Sequence, residues 1–262
     1  MKIPLYQLDA FSRDAFGGNP AAVCPLDGWL GDDMLQAIAA ENNLAETAFF
    51  VRENGAYRLR WFTPVAEVPL CGHATLATGH VILKMLEPER ERVRFETLSG
   101  PVEVSRDGER LSLDFPALPL QRELDPDLVT GAIGVRPEAL WEADRGMAVL
   151  GDAAQVRELR PDIGRIAELP FKSLIVTARG ADGDCDFVSR FFAPKLGIAE
   201  DPVTGSAHCV LTPYWSGVLG KPSLFARQLS SRGGELWVED RGSRVRLSGD
   251  CVLVIEGSFA VP

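Results

Sequence analysis

The alternation of apolar and polar positions changes period several times along this chain, and each change marks an element. Tyr57, Leu59 and Trp61 alternate with Arg58 and Arg60, and Val102 and Val104 alternate with Glu103 and Ser105, the period-two pattern of strands with one buried face. Leu236-Trp237-Val238 and Val245-Arg246-Leu247 supply later counterparts. Between Gly31 and Glu41, Met34, Leu35, Ile38 and Ala39 fall on one side of a helical period and predict a short amphipathic helix. Two longer stretches, Val68 to Leu83 and Pro202 to Gly220, carry no formal charge. The second approaches the roughly 20 residues that a membrane-spanning helix needs, but Ser206, His208, Thr212, Pro213, Tyr214 and Ser216 make it too polar to insert. The first is interrupted by Pro69, His73 and His80. A helix uncharged on all faces in a soluble chain is one surrounded by protein, so each stretch is expected to be a buried helix with a sheet curled around it.

The pattern also repeats. Arg60-Trp61-Phe62-Thr63-Pro64 lies over Arg190-Phe191-Phe192-Ala193-Pro194 at an offset of 130, and Cys71-Gly72-His73-Ala74 lies over Thr204-Gly205-Ser206-Ala207 at an offset of 133. A third block, from Leu98-Ser99-Gly100, matches one from Leu229-Ser230-Ser231 at an offset of 131. Three blocks in one order at nearly one spacing point to an internal duplication. The fold expected is α+β, with two pseudo-symmetric lobes, each a curved, mostly antiparallel sheet wrapped around a central helix. The Pro-rich run from Phe115 to Asp127 is the natural boundary, which places the lobes at residues 1–118 and 119–250. Within it, Asp125-Pro126 reads as an N-cap followed by a first helical residue.

Composition narrows the function. The 262 residues are 46% hydrophobic, enough for a sizeable core, and 27 basic against 37 acidic residues give a net charge of −10. That charge repels phosphate backbones and anionic lipid headgroups, which argues against nucleic-acid and membrane partners. The N-terminal stretch carries Asp9, Arg13 and Asp14 where a signal peptide needs an apolar core, and five unpaired-looking cysteines without C-x-x-C spacing fit reduced thiols. A cytoplasmic location is expected. Three histidines without metal-ligand spacing, and no G-x-G-x-x-G, P-loop or G-x-S-x-G, leave cofactor-free chemistry without a metal as the expectation.

Candidate chemistry gathers at the two helix starts. Helices beginning at Gly72 and Gly205 would present free backbone N–H groups and a positive dipole end, a setting for a carboxylate or a developing enolate. His73 follows Gly72, Ser206 follows Gly205, and Asp201 stands just before the second start. Glu46 interrupts an apolar run, Leu44 to Val51, where desolvation is expected to raise its pKa toward the range useful for proton abstraction and return. Cys71 precedes the first helix start, a place where thiols are acidified, but its counterpart is Thr204, and a structural cysteine is an equal reading.

On the segments QLDAFSRDAFGGNPAAV, Ala45 to Phe49, FTPVAEVPLCGHAT and GIAEDPVTGSA, the whole chain resembles the PhzF-like isomerase family of phenazine biosynthesis, within the diaminopimelate-epimerase-like fold. The resemblance implies an active site between two lobes, a homodimer, and a final strand, Cys251 to Pro262, that returns to the first lobe. It assigns catalysis to Glu46, His73 and Asp201 and substrate contact to Gly72, Gly205 and Ser206, with Asn19 a further pocket residue. It implies an isomerase in which Glu46 moves a proton within a small carboxylate substrate. The related epimerases oppose two cysteines, whereas Thr204 stands at the second position here, which favours one base. Two alternatives stay open: an epimerase or racemase using Cys71, and a small-metabolite binding protein without turnover.

Overall fold

The computed structural model describes residues 1–181 and 183–261. The chain divides into two compact units, one formed by Met1–Asp114 with the segment from Ser248 onward, the other by Phe115–Leu247.

In the first unit, β1 (Lys2–Ala10) and β2 (Asn19–Leu26) form an antiparallel pair in which Ala10 faces Asn19. The loop between them is tightly held. The buried Asp9 carboxylate accepts the Phe16 N–H at 2.6 Å, and Gly18 adopts φ +60° where an added Cβ would lie 2.2 Å from the Ala10 carbonyl oxygen. The predicted amphipathic helix is α1 (Asp32–Asn42), which buries Leu35, Ile38 and Ala39 against Cys24, Phe49 and Phe62. It serves as the crossover from β2 to the parallel strand β3 (Glu46–Glu53), an arrangement that needs a helix because parallel neighbours cannot be joined by a tight turn. A hairpin at Asn54-Gly55, both with positive φ, leads to β4 (Ala56–Phe62). The short β5 (Glu67–Val68) follows, and then α2 (Gly72–His80), whose residues from His73 to Gly79 are buried. Residues Val81–Leu86 continue it in π-helical form. Gly79 lets α2 lie close on its sheet, since a Cβ there would fall 2.5 Å from Val104.

β6 (Arg92–Thr97), β7 (Gly100–Asp107) and β8 (Arg110–Pro116) form an antiparallel meander, with β6 parallel to β4.

The second unit opens with β9 (Arg122–Leu124) and α3 (Asp127–Ile133). This helix starts one residue later than expected: Pro126 is the flanking residue, and the Asp125 carboxylate accepts the Asp127 N–H at 2.9 Å. β10 (Ala139–Glu142) and β11 (Gly146–Val149) pair antiparallel, α4 (Ala153–Glu158) and α5 (Ile163–Glu168) follow, and β12 (Leu174–Arg179) runs parallel to β11. Asp152 and Asp162 cap α4 and α5, each accepting a backbone N–H three residues on. β13 (Phe187–Phe192) leads through a 3-10 turn to α6 (Gly205–Leu219), β14 (Ser223–Gln228) and β15 (Gly234–Asp240) follow, and β16 (Arg244–Gly249) ends the unit at Leu247 and runs on into the first. Val129, Leu140, Leu174, Val188 and Phe192 belong to its core. Pro213 lies inside α6 and lacks the N–H that the Cys209 carbonyl would receive; the Leu118 N–H supplies it instead at 3.0 Å.

The chain then returns to the first unit as β17 (Cys251–Ala260), antiparallel to β1 from Lys2 opposite Ala260 to Ala10 opposite Cys251. Strands β1, β2, β3, β7 and β17 all pack on α2, so this sheet curls around that helix. The expected burial of α6 holds only in part. Its face from Ala207 to Thr212 is buried with Trp215, while Gly217 and Val218 in its last turn are exposed.

Candidate active site

In the first unit, β3 and the start of α2 bring Glu46, Cys71 and His73 together, with one ligand-type atom of each within 4.8 Å of the others. Glu46 is the first residue of β3 and faces Ala21 on β2, so its side chain stands at the end of the strand on the face that looks at α2. Asn19 lies two residues before Ala21, on the same face and fully buried. Cys71 is the N-cap residue of α2, and its carbonyl is held by the Thr75 N–H at 3.1 Å and the Thr75 hydroxyl at 2.5 Å. His73 Nδ1 lies 3.5 Å from the Cys71 sulfur, and its Nε2 lies 3.1 Å from Glu46 Oε2. The second contact is a close pairing of charges rather than an aligned hydrogen bond, since among the described residues that oxygen accepts none.

Burial is the largest influence on Glu46 and raises its pKa, as the apolar run suggested. The charge of His73 and the contacts from His73 and Cys71 together outweigh it and leave the carboxyl below its ordinary value. The expected upward shift is therefore reversed: Glu46 is ionised at neutral pH. For His73, burial pulls downward, but the Cys71 sulfur and the Glu46 carboxylate lift the imidazole well above its usual value. Burial, and then the Glu46 charge, push the Cys71 thiol up to about 11, so it stays protonated at neutral pH despite its place at a helix start. The persistent negative charge beside His73 is thus the Glu46 carboxylate. The same three residues have the atoms to hold a metal ion, but an ion would have to displace protons from both Cys71 and His73.

The second unit builds its own polar group at the start of α6. Thr204 is the N-cap residue, as Cys71 is for α2, and Gly205 is the first helical residue, as Gly72 is. The Thr204 hydroxyl donates to Asp201 Oδ2, and the Asp201 N–H donates to the Phe191 carbonyl at 3.0 Å. Gln228, fully buried at the end of β14, ties the group together. Its Oε1 accepts the Thr204 N–H at 2.8 Å, and its Nε2 donates to the Asp201 carbonyl at 2.8 Å and to the Thr204 hydroxyl at 3.2 Å. Ser206 is exposed and accepts from Arg145 at 3.1 Å; the Arg145 guanidinium also pairs with Asp144 and lies 5.4 Å above the Phe191 ring.

Sequence reasoning singled out neither Gln228 nor Arg145. Gln228 directly precedes the third repeated block, the one signal that could have drawn attention to it. For Arg145 no local signal exists. Among the described residues no helix is long and apolar enough to cross a membrane.

Comparison with known proteins agrees with this architecture. The family model for phenazine biosynthesis-like proteins, PhzC-PhzF, matches residues 8–257. A Pseudomonas aeruginosa protein described as an uncharacterized isomerase is 50% identical over 258 residues, covering 98% of each chain. The crystal structure of a PhzF family protein from Enterococcus faecalis superposes with a TM-score of 0.97 at 42% identity over 100% of both chains. A hydroxyproline epimerase from Agrobacterium vitis, at 13% identity and a TM-score of 0.61 over 98% of this chain and 92% of its own, shares the fold. The α+β architecture with a curled sheet is thus that of the epimerase and racemase fold, and the chain belongs to the phenazine biosynthesis-like PhzF family.

Proposed function

We propose that this protein is a cofactor-independent isomerase in which Glu46 takes a proton from an activated carbon of a small carboxylate substrate and returns it to another carbon. The observation that carries the reading is the largely shielded, ionised Glu46 at the start of β3, with the cationic His73 from the first turn of α2 3.1 Å away. The Glu46 carboxylate accepts the proton, the electron pair left on the substrate spreads into its conjugated carboxyl or carbonyl group, and the neutral Glu46 acid then gives the proton back at the second carbon. Glu46 ends as it began, and no electron acceptor is consumed. The free N–H groups of α2 and the His73 charge stabilise the negative charge that develops. In the second unit, the reading assigns Asp201 to proton handling and orientation and Gly205 and Ser206 to substrate contact. It carries with it a homodimer, a cytoplasmic setting, and an origin of the two units as copies of one lobe.

Relatives described as isomerases support the reaction class. The state of the thiol supports one base over two: Cys71 holds its proton, and the Thr204 hydroxyl is committed to Asp201. A heavy-water NMR screen of cyclic and amino carboxylates provides the test. Deuterium entering one carbon as a proton leaves another, lost in Glu46→Gln with the fold intact, is the expected result. Undiminished exchange in Glu46→Gln sinks the assignment, and saturable binding of a screened compound with no exchange into any of them turns it toward a binding protein.

A further inference from the structure

Three strands of the second unit present a row of polar side chains to α6. Thr177 on β12 pairs with Ser189 on β13, and Ser189 pairs with Gln228 on β14, so the three stand on one face of the sheet. That face looks at α6, because Phe187, two residues before Ser189, packs on His208 and Trp215 with ring centroids 5.8 and 5.9 Å apart. The row is pinned at both ends: Gln228 is bonded to Thr204 at the helix start, and Trp215 Nε1 donates to the Thr177 hydroxyl at 3.0 Å. Between these anchors the helix places His208 and Thr212 one turn apart, four and eight residues beyond Thr204, and the sheet places Ser189.

The middle of the row is where hydrogen bonding stops. Ser189 Oγ, His208 Nε2 and Thr212 Oγ1 are all buried, on residues at most 1% exposed, and find no hydrogen-bond partner among the described residues. Thr212 differs in this from Thr75 and Thr78 on α2, whose hydroxyls turn back to the carbonyl four residues earlier at 2.5 and 2.7 Å. His208 Nδ1 lies 2.9 Å from the Thr204 carbonyl oxygen, which can only accept, so Nδ1 carries the proton. Burial holds the ring neutral, with its pKa pulled down to about 4, which leaves Nε2 as an acceptor. One acceptor and two hydroxyls form a neutral set with the partner number that a buried water takes.

We propose that Ser189, His208 and Thr212 bind an internal water between α6 and its sheet, and that His208, fixed through both ring nitrogens, is a positioning residue for Thr204 and the Asp201 paired with it. The first half stands on its own; the second rests on the function proposed above.

A high-resolution crystal structure together with 15N NMR of His208 tests the water. The expected result is density for one water within hydrogen-bond distance of all three atoms, with the neutral ring as the Nδ1–H tautomer. Direct contact among the three side chains, or the Nε2–H tautomer, overturns it. The Ser189→Ala, Thr212→Val double variant removes two partners with little change in volume and should lose the water; unchanged density there means the three residues are not its site. The positioning role is read in the deuterium-exchange assay on a substrate whose exchange depends on Glu46. His208→Leu should lower kcat about ten- to a hundredfold with KM nearly unchanged, and His208→Asn, whose amide N–H can still reach the Thr204 carbonyl, should restore most of it. Equal losses in both folded variants, or a loss confined to KM, overturn the positioning role. The crystallographic and tautomer results need no turnover, so they stand apart from any failure of the proposed reaction.

Discussion

The Nε2 of His73 lies 3.1 Å from Oε2 of Glu46, and both side chains are shielded from solvent. Each group fixes the charge of the other. Burial alone would neutralise them both, by lifting the carboxyl and lowering the imidazole, and the pairing, with the contacts from Cys71, reverses both trends.

Removing the carboxylate should therefore release the imidazole. In Glu46→Gln the His73 pKa is expected to fall below its wild-type value, because burial then acts with less opposition. An NMR titration of the His73 ring measures it, and an unchanged or higher value in the variant would contradict the pairing.

The pH dependence of stability follows with its sign. The folded-state pKa of His73 is raised, so its contribution is complete below the ordinary imidazole value and is lost as pH rises through the raised one. The folded-state pKa of Glu46 is lowered, so its contribution is complete above the ordinary carboxylate value and is lost as pH falls through the lowered one. The pair should stabilise the fold most between about pH 4.5 and 6.5. The stability difference between wild type and the Glu46→Gln, His73→Gln double variant, from urea unfolding across pH, should be largest in that window; a difference that grows steadily toward high pH would refute it.

Cys71 should be a poor nucleophile. With its pKa at about 11, only about one thiol in ten thousand is ionised at pH 7. Slow alkylation of Cys71 by iodoacetamide at that pH, and retained deuterium exchange in Cys71→Ala, are the expected outcomes. Loss of exchange in Cys71→Ala would instead place the thiol in the proton path.

Gln228 joins the Thr204 N–H to the Asp201 carbonyl from a fully buried position. Gln228→Ala leaves those groups without their partner and should cost about 1–3 kcal/mol of stability, read from urea unfolding. A loss within error of zero would mean that neighbouring groups satisfy the start of α6 equally well.

At Gly18, φ is +60° and an added Cβ would overlap the Ala10 carbonyl oxygen. Gly18→Ala is expected to cost at least about 1–2 kcal/mol from backbone conformation alone, with the overlap adding to it. A variant that unfolds at the wild-type urea midpoint would show that this loop relaxes freely.

What the chain determines by itself is whatever burial imprints on neighbouring residues. The alternation in Ala56–Phe62, the stripe of Leu35, Ile38 and Ala39, and the uncharged stretches that became α2 and α6 are all local consequences of which side faces the interior. The helix starts at Gly72 and Gly205 were legible for the same reason, and with them the positions of Cys71, His73, Thr204 and Ser206. The charge state of Glu46 was not. An apolar run in sequence reports desolvation, but the opposing charge sits on His73, on another element, and only folding sets the two at 3.1 Å. The roles of Gln228 and Arg145 are not legible in the sequence because their partners Thr204 and Ser206 are 24 and 61 residues away, distances at which no periodicity survives. The pairing of β17 with β1 likewise joins opposite ends of the chain. Period and composition record how much of a residue is buried; which groups it is buried with is decided by the tertiary fold.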